Sequence, residues 1–311
     1  MDYPNFFDPK KSFNLFGLNQ QFDFLSKLYL KKKLPKVLML TGLKGSGKST
    51  LINHFLFSLF DKENYDNFKY KFLESSNFYN QFKNDIFQNI IFLNGSDYVS
   101  VKVDDIRNLK SKIFKSSILD KDRFIILDDI ELFNINSLNA LLKIIEEPSK
   151  NNYFILINNK TKPLIDTIKS RTLEIKINLK ESQRIEIIQK IVELNNIQSI
   201  LDPVQSKLTP GNYIKYNHIC NEYGITPNNK FLNNLSLLLD LYKKKKDFLF
   251  IKFIFYLADL YFKNLKDKKI VSSENVFEMR NFVQDNLNKY LTLNLNHISL
   301  INALNSKLNN G

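Results

Sequence analysis

Short runs of β-branched and aliphatic residues alternate with helix-spaced apolar positions through the first half of the chain, a pattern that predicts a parallel sheet wrapped by helices. Strands are predicted at Val37–Thr41, Ile90–Leu93, Phe124–Leu127, Phe154–Ile157 and Leu173–Ile177. Between them, Asp104 is placed to cap a helix whose Ile106, Leu109, Ile113 and Phe114 share one face. Leu138, Leu141, Leu142 and Ile145 repeat that spacing until Pro148 stops it. Residues 61–89 break the pattern: Asn, Lys, Tyr and Phe follow one another without a period, which predicts a mostly irregular insertion with about one helical turn.

After Ile177 no further strand is predicted. Glu181–Leu194 and Asn212–Glu222 have helical spacing, and Pro203, Pro210 and Pro227 interrupt the segments around them. From Asn229 onward the chain is predicted helical almost to its end, with Leu235, Leu238, Leu239 and Tyr242 on one face. Phe248–Phe262 is strongly apolar, but Lys252 and Asp259 interrupt it and it is shorter than the ~18 residues of a span, so it reads as a buried helix. The lysine runs on either side of it, 243–246 and 263–269, read first as solvated faces and second as phosphate contacts.

Composition narrows the function classes. With 43% apolar and 25% charged residues over 311 positions, disorder throughout is excluded and two or three domains are expected. Lys and Arg number 45 against 32 Asp and Glu, a surplus of +13 that suits polyanionic partners such as nucleic acid or nucleotide phosphate. The chain's general richness in Lys, Asn and Ile offers a second account of that surplus. A single cysteine, Cys220, excludes an intramolecular disulfide and any zinc site built from several thiolates. His54, His218 and His297 lie far apart and are assigned no role. Met1–Lys11 contains Asp2, Pro4, Asp8 and Pro9 and no apolar run, so no secretory signal is read there, and a cytoplasmic location without membrane association is expected.

The chemistry concentrates in two places. Gly42-Leu43-Lys44-Gly45-Ser46-Gly47-Lys48-Ser49 fits G-x-x-x-x-G-K-[ST] in full, between an apolar strand and a predicted helix, and Thr50 continues it. Glycines let such a loop curl until its N–H groups converge on phosphate oxygens, where the helix N-terminus adds partial positive charge. Lys48 is then expected to reach the β- and γ-phosphates of ATP, and Ser49 to offer its hydroxyl to Mg²⁺, a hard ion that prefers oxygen. The second place is Arg123–Asp129, an apolar strand that delivers carboxylates at its C-terminal end, where ligands of parallel sheets gather. Asp128 is expected to hold Mg²⁺. Asp129 stands where hydrolytic P-loop ATPases usually place a glutamate to orient the attacking water, and the missing methylene predicts weak hydrolysis.

Asn139-Ala-Leu-Leu-Lys143 followed by Glu146-Glu147-Pro148 resembles the signature of bacterial clamp-loader subunits, AAA+ proteins of DNA polymerase III. Thr167-Ile-Lys-Ser170-Arg171 is similar to their Ser-Arg-Cys motif, with Thr172 in place of the cysteine. Leu15-Phe16-Gly17 and Val103-Asp104-Asp105-Ile106-Arg107 resemble the delta-prime subunits. The resemblance covers Leu15 to about Ile177, apart from the insertion. The gamma/tau motors carry a four-cysteine module between loop and aspartate strand and a glutamate after the strand's aspartate; this chain has neither, which points to delta-prime.

Delta-prime phosphate loops are often degraded, whereas this one is complete. The resemblance implies an α/β P-loop AAA+ domain over 1–177, a small helical lid over 178–228 and an all-α collar over 229–311. It implies partners too: gamma/tau and delta subunits, the sliding clamp and primed DNA. It assigns Arg171 to an arginine finger acting in the neighbouring subunit's ATP site, and Asn159, with Asn158 as the adjacent alternative, to the polar sensor of the γ-phosphate. The family's second sensor arginine is not matched, because Asn212 and Tyr213 follow Thr209-Pro210-Gly211. Two alternatives stay open: a gamma/tau-like motor and an autonomous P-loop ATPase acting on nucleic acid.

Overall fold

The computed structural model describes residues 3–97, 101–114, 122–227, 231–267, 272–293 and 296–309. In chain order, α1 (Asn19–Leu30) precedes β1 (Val37–Thr41), and α2 (Lys48–Phe60) opens directly behind the glycine loop. A hairpin of β2 (Tyr65–Asp66) and β3 (Lys71–Phe72) and the helix α3 (Asn77–Lys83) follow. Strands and helices then alternate: β4 (Ile90–Asn94), α4 (Val103–Phe114), β5 (Arg123–Asp128), α5 (Ile135–Ile145), β6 (Asn152–Asn158), α6 (Asp166–Lys169) and β7 (Leu173–Lys176). The rest is helical: α7 (Glu181–Leu194), α8 (Pro203–Ser206), α9 (Pro210–Tyr223), α10 (Phe231–Lys245), α11 (Phe248–Asp267), α12 (Ser273–Leu293) and α13 (His297–Asn309).

The five main strands form one parallel sheet in the order β4-β5-β6-β1-β7. Its central strands are apolar on both sides because helices cover both faces, and side chains alternate between two cores. Leu38, Leu40, Phe124, Ile126, Ile155 and Ile157 face α1, α2 and the hairpin. Val37, Met39, Ile125, Leu127, Phe154 and Leu156 face the side carrying α4 and α5. The register places Thr41 beside Asn158, so the carboxyl ends of β1, β5 and β6 open side by side.

The insertion is more ordered than its sequence predicts. Asp66 accepts from the backbone N–H groups of Phe68 and Lys69, each at 2.9 Å, which turns the hairpin, and the Ser76 hydroxyl accepts from Tyr79 N to cap α3. Phe57 of α2 stacks on Phe72 at 4.3 Å between centroids and meets Phe82 edge-on at 4.9 Å. Tyr65, Phe72, Phe78, Tyr79 and Phe82 are all buried there, each contributing about 1.5–3 kcal/mol of apolar burial. Two-residue strands and a two-turn helix are too short to generate a readable period, which is why the sequence looks irregular. His54, fully buried on α2, ties this region together: its Nε2–H donates to Ser12 O at 2.8 Å, and Nδ1 lies 3.1 Å from the Tyr65 hydroxyl. Burial draws its pKa down to about 4.

Asp104 does not cap α4. It sits in the first turn and pairs with Arg107 at 2.7 Å, while the Asp105 carboxylate accepts from Lys102 N at 2.7 Å, because the helix begins at Val103, two residues earlier than a cap at Asp104 would place it. Ile106, Leu109 and Ile113 are buried as expected; the side chain of Phe114 lies outside the described residues.

The chain divides into two compact units. Residues 3–196 with 208–214 form one, and residues 197–207 with 215–311 the other. The second is all-helical, with Leu235, Leu238, Leu239, Phe250, Phe253, Ile254 and Leu257 in its core. Within it, Asn217 accepts from Ile200 N and Leu201 N at 2.7 and 3.0 Å. No described helix is long and apolar enough to cross a membrane.

Candidate phosphate-binding site

The glycine loop connects β1 to α2, and β1 lies between β6 and the edge strand β7. Gly45 and Gly47 take φ of +83° and +90°, a left-handed conformation that a side chain would strain. Gly42 has no room for one either: a Cβ there would stand 2.4 Å from Ile177 O. Leu43 is exposed, Ser46 buried and Thr50 half-buried on the first turn of α2.

Lys48 is 3% exposed. Its ammonium donates to the carbonyls of Gly42 and Leu43, both at 2.8 Å, so the loop curls around it. Burial lowers its pKa to about 8, partly opposed by Asp128, Glu131 and Asp129. The Ser49 hydroxyl donates to Asp128 Oδ2 at 2.8 Å. Asp128 Oδ1 accepts from Asp129 N at 2.7 Å and from Asn159 Nδ2 at 3.0 Å.

The pKa values of the two adjacent aspartates are shifted in opposite directions. Burial, and then the charge of Asp129, raise the pKa of Asp128. Burial works the same way on Asp129, but the Lys44 ammonium outweighs it, together with hydrogen bonds from Lys44, Ser96 and Asn159, and the net shift is downward. Lys44 Nζ lies 2.9 and 2.6 Å from the two Asp129 oxygens, and Asn159 Nδ2 lies 2.7 Å from Oδ1. Asp129 is 2% exposed, with φ +51° and ψ +43°, a left-handed conformation that aspartate tolerates better than most residues.

Asn159 rather than Asn158 turns toward the carboxylates; Asn158 Oδ1 accepts from Lys160 N at 2.9 Å instead. Behind Asn159 stands a residue that the sequence did not single out. Glu131 is 5% exposed and accepts from Asn159 N, Thr161 N and the Thr161 hydroxyl at 3.1, 3.1 and 2.8 Å. It positions the backbone that carries Asn159. An acid just after an Asp-Asp turn reads as solvated, and only the adjacency of β5 and β6 reveals its partners.

The start of α9 closes on the loop from the other side. Gly211 N donates to Gly45 O at 2.9 Å, and the Thr209 hydroxyl donates to Lys44 O at 2.7 Å. A Cβ on Gly45 would meet Asn212 N at 2.9 Å, so Asn212 sits against the loop. Arg184 of α7 donates to Leu208 O at 3.0 Å and holds this segment from behind.

Arg171 is not part of this cluster. It follows α6, where its Nε donates to Glu146 Oε1 at 2.8 Å and its Nη1 to Thr167 O at 3.0 Å. Among the described residues no group of three or more His, Cys, Asp or Glu side chains is arranged to hold a metal ion.

A parallel sheet with a glycine loop between β1 and α2, carboxylates at the end of β5 and an all-helical region after it in the chain defines an AAA+-like protein. The chain belongs to the family described as DNA polymerase III, delta subunit, which matches residues 17–181. It is similar to the DNA polymerase III subunit delta' of Buchnera aphidicola subsp. Baizongia pistaciae, 34% identical over 30% of this chain and 30% of that one. It is also similar to the subunit gamma of Buchnera aphidicola subsp. Schizaphis graminum, 28% identical over 49% of this chain and 43% of the relative. The matches thus span less than half the length of these two relatives. A solved structure, a gamma subunit-related protein from Thermotoga maritima, covers 92% of this chain and 99% of its own at 16% identity and a TM-score of 0.48.

Proposed function

We propose that this chain is a clamp-loader subunit of the delta-prime kind, which binds Mg-ATP across residues 42–50, hydrolyses it weakly, and lends Arg171 to the nucleotide site of a neighbouring subunit. Its partners in this reading are gamma/tau and delta subunits, the ring-shaped sliding clamp and primed DNA, in the cytoplasm, with the helices from 229 onward as the collar of the assembly.

The observation that carries the nucleotide half is the cluster of Lys48, Ser49, Asp128 and Asn159, in which a buried ammonium, a hydroxyl, a carboxylate and an amide converge within hydrogen-bonding distance of one another or of the loop. The donor set suits Mg²⁺: a hydroxyl and a carboxylate oxygen are hard ligands, and the ion ordinarily takes its remaining ligands from phosphates and water. Bound there, Mg²⁺ would neutralise charge on the β- and γ-phosphates. The protein's own part is to converge loop N–H groups on the phosphates, to hold Lys48 beside them as a point charge, and to fix Asn159 through Glu131. Weak hydrolysis fits Asp129, whose side chain is one methylene shorter than a glutamate and whose Oδ1 is engaged by Asn159.

A gamma/tau-like motor is the second reading, favoured by the complete glycine loop and by the similarity to gamma subunits. The isolated chain separates the two: turnover of about 1 s⁻¹ or more, in the usual enzymatic range, belongs to the motor. For nucleotide binding, calorimetry with Mg-ATP should give saturable binding to the wild-type chain and a loss of about 10- to 100-fold for Lys48→Ala, the worth of a charged hydrogen bond. No heat and no binding with wild-type protein would sink the reading.

A further inference from the structure

Lys44, the third residue of the glycine loop, has a hydrogen-bonded main chain and a partly exposed side chain. Its carbonyl is held by the Thr209 hydroxyl at 2.7 Å, and the next carbonyl, Gly45 O, by Gly211 N at 2.9 Å. The side chain, one third exposed, crosses to the end of β5 and pairs with both oxygens of Asp129. Asp129 is the enclosed partner, buried, left-handed in its backbone and bonded by Asn159.

The pair stands beside the Ser49–Asp128 contact, and Asn159 Nδ2 touches both carboxylates, so Lys44 and Asp129 lie at the end of the site where a terminal phosphate would place its charge. A terminal phosphate and the Asp129 carboxylate are like charges with one flexible ammonium between them. A partly exposed lysine is free to exchange one anion for another, because its four-carbon stem has many rotamers and part of its solvation is retained. A diphosphate, lacking that group, offers no competing charge there.

We propose that Lys44 is a counter-ion responsive to the terminal phosphate: it neutralises Asp129 while the site is free or holds a nucleoside diphosphate, and passes to the terminal phosphate when a nucleoside triphosphate binds. This rests on the nucleotide reading above. Lys48 and the loop N–H groups hold both kinds of nucleotide, and Lys44 with Asp129 tells them apart. Asp129, relieved of its ammonium, keeps Asn159 as a partner, so the identity of the nucleotide is registered at the end of β5.

The test is calorimetry of the full chain with Mg-ADP and Mg-ATP at low ionic strength, for wild type, Lys44→Met, Lys44→Arg and Asp129→Asn. Asparagine keeps the left-handed backbone and the shape of the side chain while removing the charge. Lys44→Met should weaken ATP about tenfold and leave ADP within about twofold, and Lys44→Arg should recover most of the loss. Asp129→Asn should tighten ATP by about tenfold, again with little effect on ADP, because Lys44 then has no competing carboxylate. ATP and ADP affinities that move by one common factor, or not at all, in Lys44→Met would overturn the inference while leaving nucleotide binding intact, as would a weakening of ATP by Asp129→Asn. Wild-type protein that binds neither nucleotide would take down the nucleotide reading and this inference with it.

Discussion

Lys48 and Arg171 are both cations held by acceptors of their own chain, and they differ in almost every other respect. Lys48 is 3% exposed and bonded to two main-chain carbonyls of its own loop. Arg171 is 38% exposed and paired with Glu146, itself 45% exposed, just past a four-residue helix away from the Lys48 cluster. Folding fixes the surroundings of a buried cation, and substitutions near it act on the isolated chain. An exposed ion pair is worth about 0–1 kcal/mol, so Arg171 can leave Glu146 for another anion at little cost. One cation is enclosed by its own loop, the other reaches solvent.

The most severe test of the inner region is Glu131→Ala. Three donors, Asn159 N, Thr161 N and the Thr161 hydroxyl, would lose their acceptor in a buried setting. At about 1–3 kcal/mol for each unsatisfied group, with partial relief from water, the substitution should destabilise the chain by about 3 kcal/mol. Urea unfolding measures this as a lowered midpoint with unchanged slope. An unshifted midpoint would mean that the inner site is not held as the geometry implies.

A smaller effect sharpens the same point through pH. Burial depresses the Lys48 pKa to about 8 from an ordinary value of 10.5. Between those two values the unfolded chain carries the proton and the folded chain has lost it, so this residue's contribution to stability rises with pH through that window. Phosphates favour the charged lysine and reverse the shift, so nucleotide binding should take up a proton above pH 8 and almost none below pH 7. Calorimetry at pH 9 in two buffers of different ionisation enthalpy should give an uptake of about 0.9 proton, against about 0.1 at pH 7. Equal, negligible uptake at both pH values would place Lys48 away from the phosphates.

The parts of the fold that are legible in the sequence share one property: their pattern repeats over enough residues to be seen. β1, β5 and β6 are continuous apolar runs because helices cover both faces of the sheet, and α5 shows its apolar stripe over three turns before Pro148. The insertion hides its order because β2 and β3 are two residues each and α3 is seven. The site divides in the same way. Lys48, Ser49 and Asp128 stand out because motif chemistry lies within a few consecutive residues. The Lys44–Asp129 pair and the Glu131 contacts join residues 85 and about 30 positions apart, and they exist only because the sheet order sets β5 beside β6 and β6 beside β1. The Glu146–Arg171 pair, 25 residues apart, is invisible for the same reason.

The smallest effect on the isolated chain is expected for Arg171→Ala, and that smallness is the point. Losing an exposed pair with Glu146 should change stability by no more than about 0.5 kcal/mol, and ATP affinity should not move, since the contacts of Arg171 are with Glu146, Thr167 and Ser170 and none of these belongs to the Lys48 cluster. If Arg171 serves a neighbouring subunit, the effect appears only in the assembled complex. A guanidinium that leaves Glu146 would there stabilise charge developing on the transferring phosphoryl group, a contribution of about 10³ to 10⁵ in rate in favourable cases. Steady-state ATPase of the reconstituted complex with clamp and primed DNA should therefore fall steeply for Arg171→Ala. The conservative change Arg171→Lys should retain only part of the wild-type rate, because an ammonium lacks the planar fork that engages two phosphate oxygens at once. A mutant complex that hydrolyses ATP at the wild-type rate would reduce Arg171 to a surface residue and remove the contrast between the two regions; a mutant chain that has lost its own ATP binding would mean that the two regions are one site.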